Sequence, residues 1–168
     1  KDAFENEEYK ARFKEQYGYE LEVPKTWTEY MDAAEFFNGW DWDGDGEVDY
    51  GTIEAMAPKD VNPYIFLTHA VTYAAHPNYP GYTFFNPETM QPMVNDPAYQ
   101  RALEEYKRIL KLGPPNMINY GGGDERAAFA AGEAAMAIDW HDTAVMAQDV
   151  KESKIKDNVG YALVPGSK

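Results

Sequence analysis

The chain has no cysteine among its 168 residues. Disulfides, thiolate metal sites and cysteine nucleophiles are therefore excluded, although the absence alone assigns no compartment. Positive charge is also scarce. Fifteen Lys and Arg stand against 29 Asp and Glu, a formal net charge of -14. That balance argues against nucleic acid as a partner, because phosphate contacts need cations. It argues equally against an anionic membrane surface, and it suits a neutral or cationic ligand and bound cations. No apolar run approaches the ~20 residues of a membrane-spanning helix, so no membrane insertion of this segment is expected. A signal peptide is lacking, and residue 1 is Lys rather than Met, so the chain is expected to be a processed or excised piece.

What is present describes a globular domain. Hydrophobic residues make up 44% and charged residues 26%, a mixture that folds rather than remaining disordered. At this length one domain with a real core is expected over residues 1–168. Aromatics reach 15%, led by 13 Tyr. Most of these rings are expected in the core, and the remainder are available to carbohydrates or protein partners.

Taken in order, residues 1–16 read as a helix stopped by Gly18. Thr26 is an N-cap and Glu29 completes a capping box. Trp27, Tyr30, Met31, Ala34 and Phe37 then form an apolar helical face, with Trp27 as a core anchor. Residues 41–49, DWDGDGEVD, resemble the first half of a calcium loop. Asp41, Asp43 and Asp45 alternate as carboxylate donors, Gly46 permits the turn, Glu47 offers its carbonyl and Asp49 binds directly or through water. Position twelve is Thr52 where a bidentate Glu belongs, and Glu54 comes two residues late. Residues 49–57 look like a strand rather than the second helix of an EF-hand. The expectation is a structural Ca2+ clip, the alternative a solvated acidic turn.

Pro63 opens a helix that ends before Pro77. His69 and His76 are spaced too widely for a zinc pair. Residues 82–85 and 90–94 suggest a small hairpin. Asp96 with Pro97 starts an amphipathic helix that ends at Gly113, Pro114 and Pro115. Three glycines from Gly121 lack the Lys-Ser or Lys-Thr of a Walker loop, so a close-approach loop is expected there, followed by a short helix over 125–131 capped by Asp124. Residues 129–142, FAAGEAAMAIDWHD, read as a helix end, a left-handed stop at Gly132, a buried strand from Ala134 to Ile138, and a cluster of Asp139, Trp140, His141 and Asp142 at its carboxyl end. Ligands bind outside that end in open α/β sheets. A short helix to Gln148 and a second apolar strand, VGYALV at 159–164, complete the series.

The order PKTWTEY, DWDGDGEVD, YTFF with VND, FAAGEAAMAIDW and VGYALVPGSK resembles the bacterial extracellular solute-binding proteins of ABC importers, in particular their sugar-binding, maltose-binding-protein-like cluster. The resemblance implies an α/β, periplasmic-binding-protein-like lobe: a small mixed sheet flanked by helices, equivalent to the central segment of the second (C-terminal) lobe of a two-lobe protein. It implies a periplasmic or cell-surface location, ABC permease subunits as partners, a carbohydrate or related polar solute as ligand, and no enzymatic activity. It also implies that Trp140 stacks on a sugar ring and that Tyr64, after Asn62-Pro63, faces the same sugar. Asp139, His141 and Asp142 are candidate hydroxyl partners without clear family equivalents, and Tyr120 borders the cleft if the glycine loop folds toward it. Two other functions remain open on the residues alone. One is a glycoside hydrolase using Asp139 and Asp142 as its carboxylates. The other is a calcium-dependent interaction module built on residues 41–49.

Overall fold

The computed structural model describes residues 1–75, 83–151 and 153–167. It is an α/β arrangement whose described sheet is one parallel pair, β1 (Tyr50–Glu54) and β2 (Ala134–Ile138), in register from Tyr50 opposite Ala134 to Glu54 opposite Ile138. The expected α/β lobe is thus observed. A parallel pair needs a long crossover, and here it carries three of the described α-helices. Because the strands run the same way, both carboxyl ends open on one side of the molecule.

The amino-terminal helix expected over 1–16 is two helices, α1 (Asp2–Glu5) and α2 (Glu7–Tyr17). Asn6 separates them: its side chain accepts from the amides of Glu8 and Tyr9, an N-cap that takes the place of helix continuation. α3 (Trp27–Phe37) begins at the expected capping box, with Thr26 accepting from the Glu29 amide and Glu29 accepting from the Thr26 amide. Most of α3 is buried, because it packs on two sides. Trp27, Tyr30, Met31 and Ala34 join Ile65, Ile109, Met117 and Ile138 in one cluster, while Ala33, Phe36 and Phe37 meet Phe13 and Leu21 in another. Large side chains buried in this way contribute about 2 kcal/mol each. β1 lies so close to α3 that a Cβ on Gly51 would overlap the Ala34 backbone.

α4 (Asn62–Ala74) and α5 (Pro97–Ile109) pack against each other. Pro63 and Pro97 occupy first-turn positions and Asp96 accepts from the Ala98 amide, as expected. Of the expected hairpin, an antiparallel bridge joins Phe85 to Pro92, and Tyr82 lies outside the described residues. So does His76. A 3-10 turn (Met117–Asn119) leads to α6 (Gly122–Ala130), which starts earlier than expected. Asp124 sits inside the helix and reaches back to the Gly121 amide at 3.0 Å. Gly132 has φ +92°, the left-handed stop that the sequence calls for, and β2 follows. α7 (Asp142–Ala147) begins with Asp142 inside its first turn.

Residues 159–164 are not a strand. They carry no regular secondary structure, with Leu163 92% exposed; Gln148 donates to the Tyr161 hydroxyl at 3.4 Å, and Gly166 then forms a parallel bridge with Thr26. A strand needs a ladder partner, and none is present for this stretch among the described residues.

Candidate ligand-binding site

The carboxyl ends of β1 and β2 carry the groups of interest. Immediately after β2 come Asp139, Trp140 and His141, and the first turn of α4 brings Tyr64 alongside them. The rings of Tyr64 and Trp140 stand 6.1 Å apart between centroids, tilted by 53°. Both are largely open to solvent, at 61% and 46%. Two exposed aromatic rings side by side at a strand end form a platform for a flat apolar surface.

Asp139 has another task. Its carboxylate is 1% exposed and receives the Arg126 guanidinium in a fork, through Nε and, at 3.2 Å, through Nη2. The Thr143 hydroxyl donates to the same carboxylate. Arg126 extends Nη1 to Asp142 at 3.4 Å. One guanidinium from α6 thus binds the residues on both sides of Trp140, and the Thr143 amide donates to the Trp140 carbonyl at 3.2 Å. His141 is nearly free in solvent, 3.5 Å from Asp142. Tyr120 lies elsewhere. It is half-buried against the core, its carbonyl accepts the Ala57 amide at 2.8 Å, and burial raises its hydroxyl pKa. The structure therefore brings Tyr64, Trp140, Asp139, His141 and Asp142 together and keeps Tyr120 apart, in the core packing. Arg126 escapes sequence reasoning, since nothing in the spacing links it to a residue 13 positions away.

Beneath this surface lies a buried polar layer. Glu54 accepts from the Tyr30 hydroxyl at 3.0 Å and pairs with His69 Nε2 at 2.9 Å. His69 is stacked under Trp27 with centroids 3.9 Å apart, and the Trp27 indole donates to Thr72. His69 is thus a satisfied core residue. Glu125, also buried, has no hydrogen-bond partner for either carboxylate oxygen. Burial, then the charges of Asp139 and Glu54, push its pKa up to about 9, against a smaller opposing pull from Arg126. Its place in the first turn of α6 looks in sequence like an ordinary helix-end acid.

The acidic loop is at the other end of the sheet, before the amino end of β1. Asp41, Asp43 and Asp49 can bring oxygens within 4.8 Å of one another, about twice a Ca2+–oxygen bond. Asp41 accepts from the amides of Gly44 and Gly46, and Asp49 from those of Trp42 and Asp43. Asp45 accepts from the Glu47 amide but is outside the three-carboxylate group. Burial first, and then the nearby Asp43 and Asp45, raise Asp49 to about 6, with its two backbone donors opposing. Neither late candidate completes the loop: Thr52 is bonded to Tyr30 and Glu54 to His69 in the core. Any cation held here would draw on the three aspartates, backbone carbonyls and water.

No protein-family model matches the chain, and no curated protein matches it. Solved structures do. The chain is similar to an ABC-transporter solute-binding protein of Agrobacterium vitis S4 with bound D-mannitol, at 25% identity and TM-score 0.71 over 94% of this chain and 35% of that one. It is similar to an ABC-transporter solute-binding protein of Agrobacterium radiobacter K84 in complex with ribitol, at 22% identity and TM-score 0.72, covering 95% and 37% of the two chains. It is also similar to maltose-bound MalE3 of T. maritima, at 24% identity and TM-score 0.69, covering 95% and 38%. The chain spans little more than a third of the length of these structures. Its fold is that of a lobe of an ABC-transporter solute-binding protein.

Proposed function

We propose that these 168 residues are the central segment of the second lobe of an ABC importer's solute-binding protein, and that the lobe forms one wall of a cleft for a carbohydrate or polyol. The observation that carries this reading is the exposed Tyr64–Trp140 pair at the carboxyl ends of a parallel sheet. An indole beside a phenol matches the apolar face of a pyranose or the carbon chain of a polyol, and His141 and Asp142 are within reach for hydroxyl groups. The sugars and polyols bound by the similar structures support the ligand class. The partners would be permease subunits, and the location outside the cytoplasmic membrane. Among the described residues no helix is long and apolar enough to cross a membrane. The hydrolase alternative gains nothing from the geometry, because Asp139 and Asp142 share one guanidinium and Asp139 is closed to solvent.

The test is a thermal-shift screen of the gene product that contains this segment against D-mannitol, ribitol and maltose, followed by calorimetry on Trp140→Ala and Tyr64→Ala. Each variant is expected to lose about 1–2 kcal/mol of binding, or about 5- to 30-fold in Kd, without loss of melting temperature. Unchanged affinity in both variants would remove the platform from the site. We further propose that Asp41, Asp43 and Asp49 hold a structural Ca2+, remote from the solute.

A further inference from the structure

The loop that joins β1 to α4 carries Asp60 at the carboxyl end of the sheet. The Ala57 amide at its start donates to the Tyr120 carbonyl at 2.8 Å, which clips the loop to the turn before the three glycines. Lys59 then takes φ 71°. That left-handed conformation is strained for a residue with a side chain, and such strain gathers at binding sites. After this kink the Asp60 carboxylate lies against Gly121. The approach is close: a Cβ on Gly121 would stand 2.1 Å from Asp60 Oδ2. Gly121 itself has φ -79° and ψ 176°, which any residue adopts, so crowding by Asp60 is what calls for glycine there. A Cβ on Gly122 would stand 3.5 Å from Val61 and 3.7 Å from Arg126 Nη2, and one on Gly123 would meet nothing within 4 Å. Asp60 is therefore joined to the supports of both rings. Val61, the next residue, accepts the Tyr64 amide at 2.9 Å, and Arg126 holds Asp139 and Asp142 on either side of Trp140. Asp60 is exposed, and among the described residues its carboxylate has no hydrogen bond and no ion pair.

We propose that Asp60 is a specificity-determining residue that contacts the solute: its two carboxylate oxygens accept from two adjacent hydroxyl groups of the carbohydrate or polyol stacked on Tyr64 and Trp140. This rests on the solute reading above. Stacking recognises an apolar face and is indifferent to the pattern of hydroxyls around it. An ionised carboxylate only accepts, and its charge-assisted hydrogen bonds are shorter and about twice as strong as neutral ones. The neighbouring acids are committed elsewhere. Asp139 is closed by Arg126 and Thr143, Asp124 is bonded to the Gly121 amide, and Asp142 shares the Arg126 guanidinium. Asp60 has both oxygens free. The glycines then have a purpose: a side chain at 121 would push the carboxylate away, and the bare backbone at 123 leaves space beside it for a hydroxylated chain.

Calorimetry on the complete gene product tests it, with whichever of D-mannitol, ribitol and maltose the parent binds. Asp60→Ala is expected to raise Kd about 10- to 100-fold. The melting temperature of the ligand-free protein should stay the same, because the carboxylate has no partner to lose. Gly121→Ala is expected to weaken binding to a similar degree. Its methyl group displaces the carboxylate, and the end of a side chain can yield without unfolding the loop. The double variant is expected to bind no worse than Asp60→Ala alone. Equal affinity of the parent and Asp60→Ala overturns the proposal, and a loss that persists in Trp140→Ala would then keep the solute reading without Asp60. A lower melting temperature in ligand-free Asp60→Ala makes the residue structural and overturns it. A Gly121→Ala loss of the same size in the Asp60→Ala background assigns the contact to the glycine backbone and overturns it too. Failure of the parent to bind any of the three solutes sinks the solute reading, and this proposal with it.

Discussion

At the scale of single residues, Arg126 and Glu125 are neighbours with opposite situations. Arg126 satisfies a buried carboxylate, and through Asp139 and Asp142 it fixes the backbone on both sides of Trp140. Arg126→Gln leaves Asp139 buried without its cation, a loss on the order of 3 kcal/mol. Urea denaturation should show it, and acrylamide quenching should show a more accessible Trp140. Replacing both partners, as in Arg126→Met with Asp139→Leu, is expected to recover most of the stability. An equal loss in the double variant would mean that the pair is not what Arg126 contributes. Glu125 holds its proton because burial and the acids Asp139 and Glu54 disfavour the charge more than Arg126 favours it. Its folded pKa, about 9, lies above the ordinary 4.5. Between those values the unfolded chain releases the proton and the folded chain keeps it, so stability falls as pH rises through this window and levels above it. At pH 7 the cost is about 3 kcal/mol. Glu125→Gln is therefore expected to match the parent near pH 4 and exceed it at pH 8, in chemical denaturation at both values; parallel pH profiles would contradict the buried neutral acid. Neither role was legible in the sequence, where both residues look like the charged start of a helix. Trp140 was legible as part of the cluster at the strand's carboxyl end, its stacking role and Tyr64 through a family resemblance, and the structure sets the two rings side by side.

At the scale of elements, what could be read were the pieces whose geometry is set by local chemistry. The Thr26–Glu29 box, the Asp96 cap and the left-handed Gly132 each close hydrogen bonds or a turn within a few residues, and β2 begins and ends where the alanine run does. The break at Asn6 was missed because the apolar spacing of Phe4, Tyr9 and Phe13 continues across it. All three rings pack with Phe37 or Phe36 in one cluster. The segment 159–164 was legible as a strand by composition, but pairing is not a local property. The acidic loop lies between these cases. Its turns are made by Asx-type bonds from Asp41, Asp43 and Asp45 to amides two to five residues on, so the loop has a shape of its own. The unmet repulsion among three close carboxylates is what a Ca2+ would relieve. The melting temperature is accordingly expected to rise on Ca2+ titration and to fall with a chelator, and Asp43→Asn to weaken the response. A melting temperature indifferent to chelator would leave the loop as a solvated turn.

At the scale of the molecule, the sheet has a chemical polarity. Acidic turns gather at its amino end and exposed rings at its carboxyl end, separated by the length of the two strands, so a cation at one end and a solute at the other would not compete. The solute end is also incomplete as a binding site. Asp139 is fully engaged by Arg126 and Thr143, and Asp142 is half engaged. At the strand ends this leaves the two rings, His141 and the remaining side of Asp142 for a ligand with many hydroxyl groups. Stacking on one ring contributes about 1–2 kcal/mol, whereas micromolar affinity requires about 8 kcal/mol. On the proposed reading the difference would come from an opposing wall outside this chain, closing on the solute by a hinge. Calorimetry of the isolated 168-residue chain with D-mannitol, ribitol or maltose is therefore expected to give no binding tighter than millimolar, even where the complete protein binds well. Micromolar binding by the chain alone would show that one wall suffices, and would move the polar contacts to groups on this lobe that the present geometry leaves facing solvent.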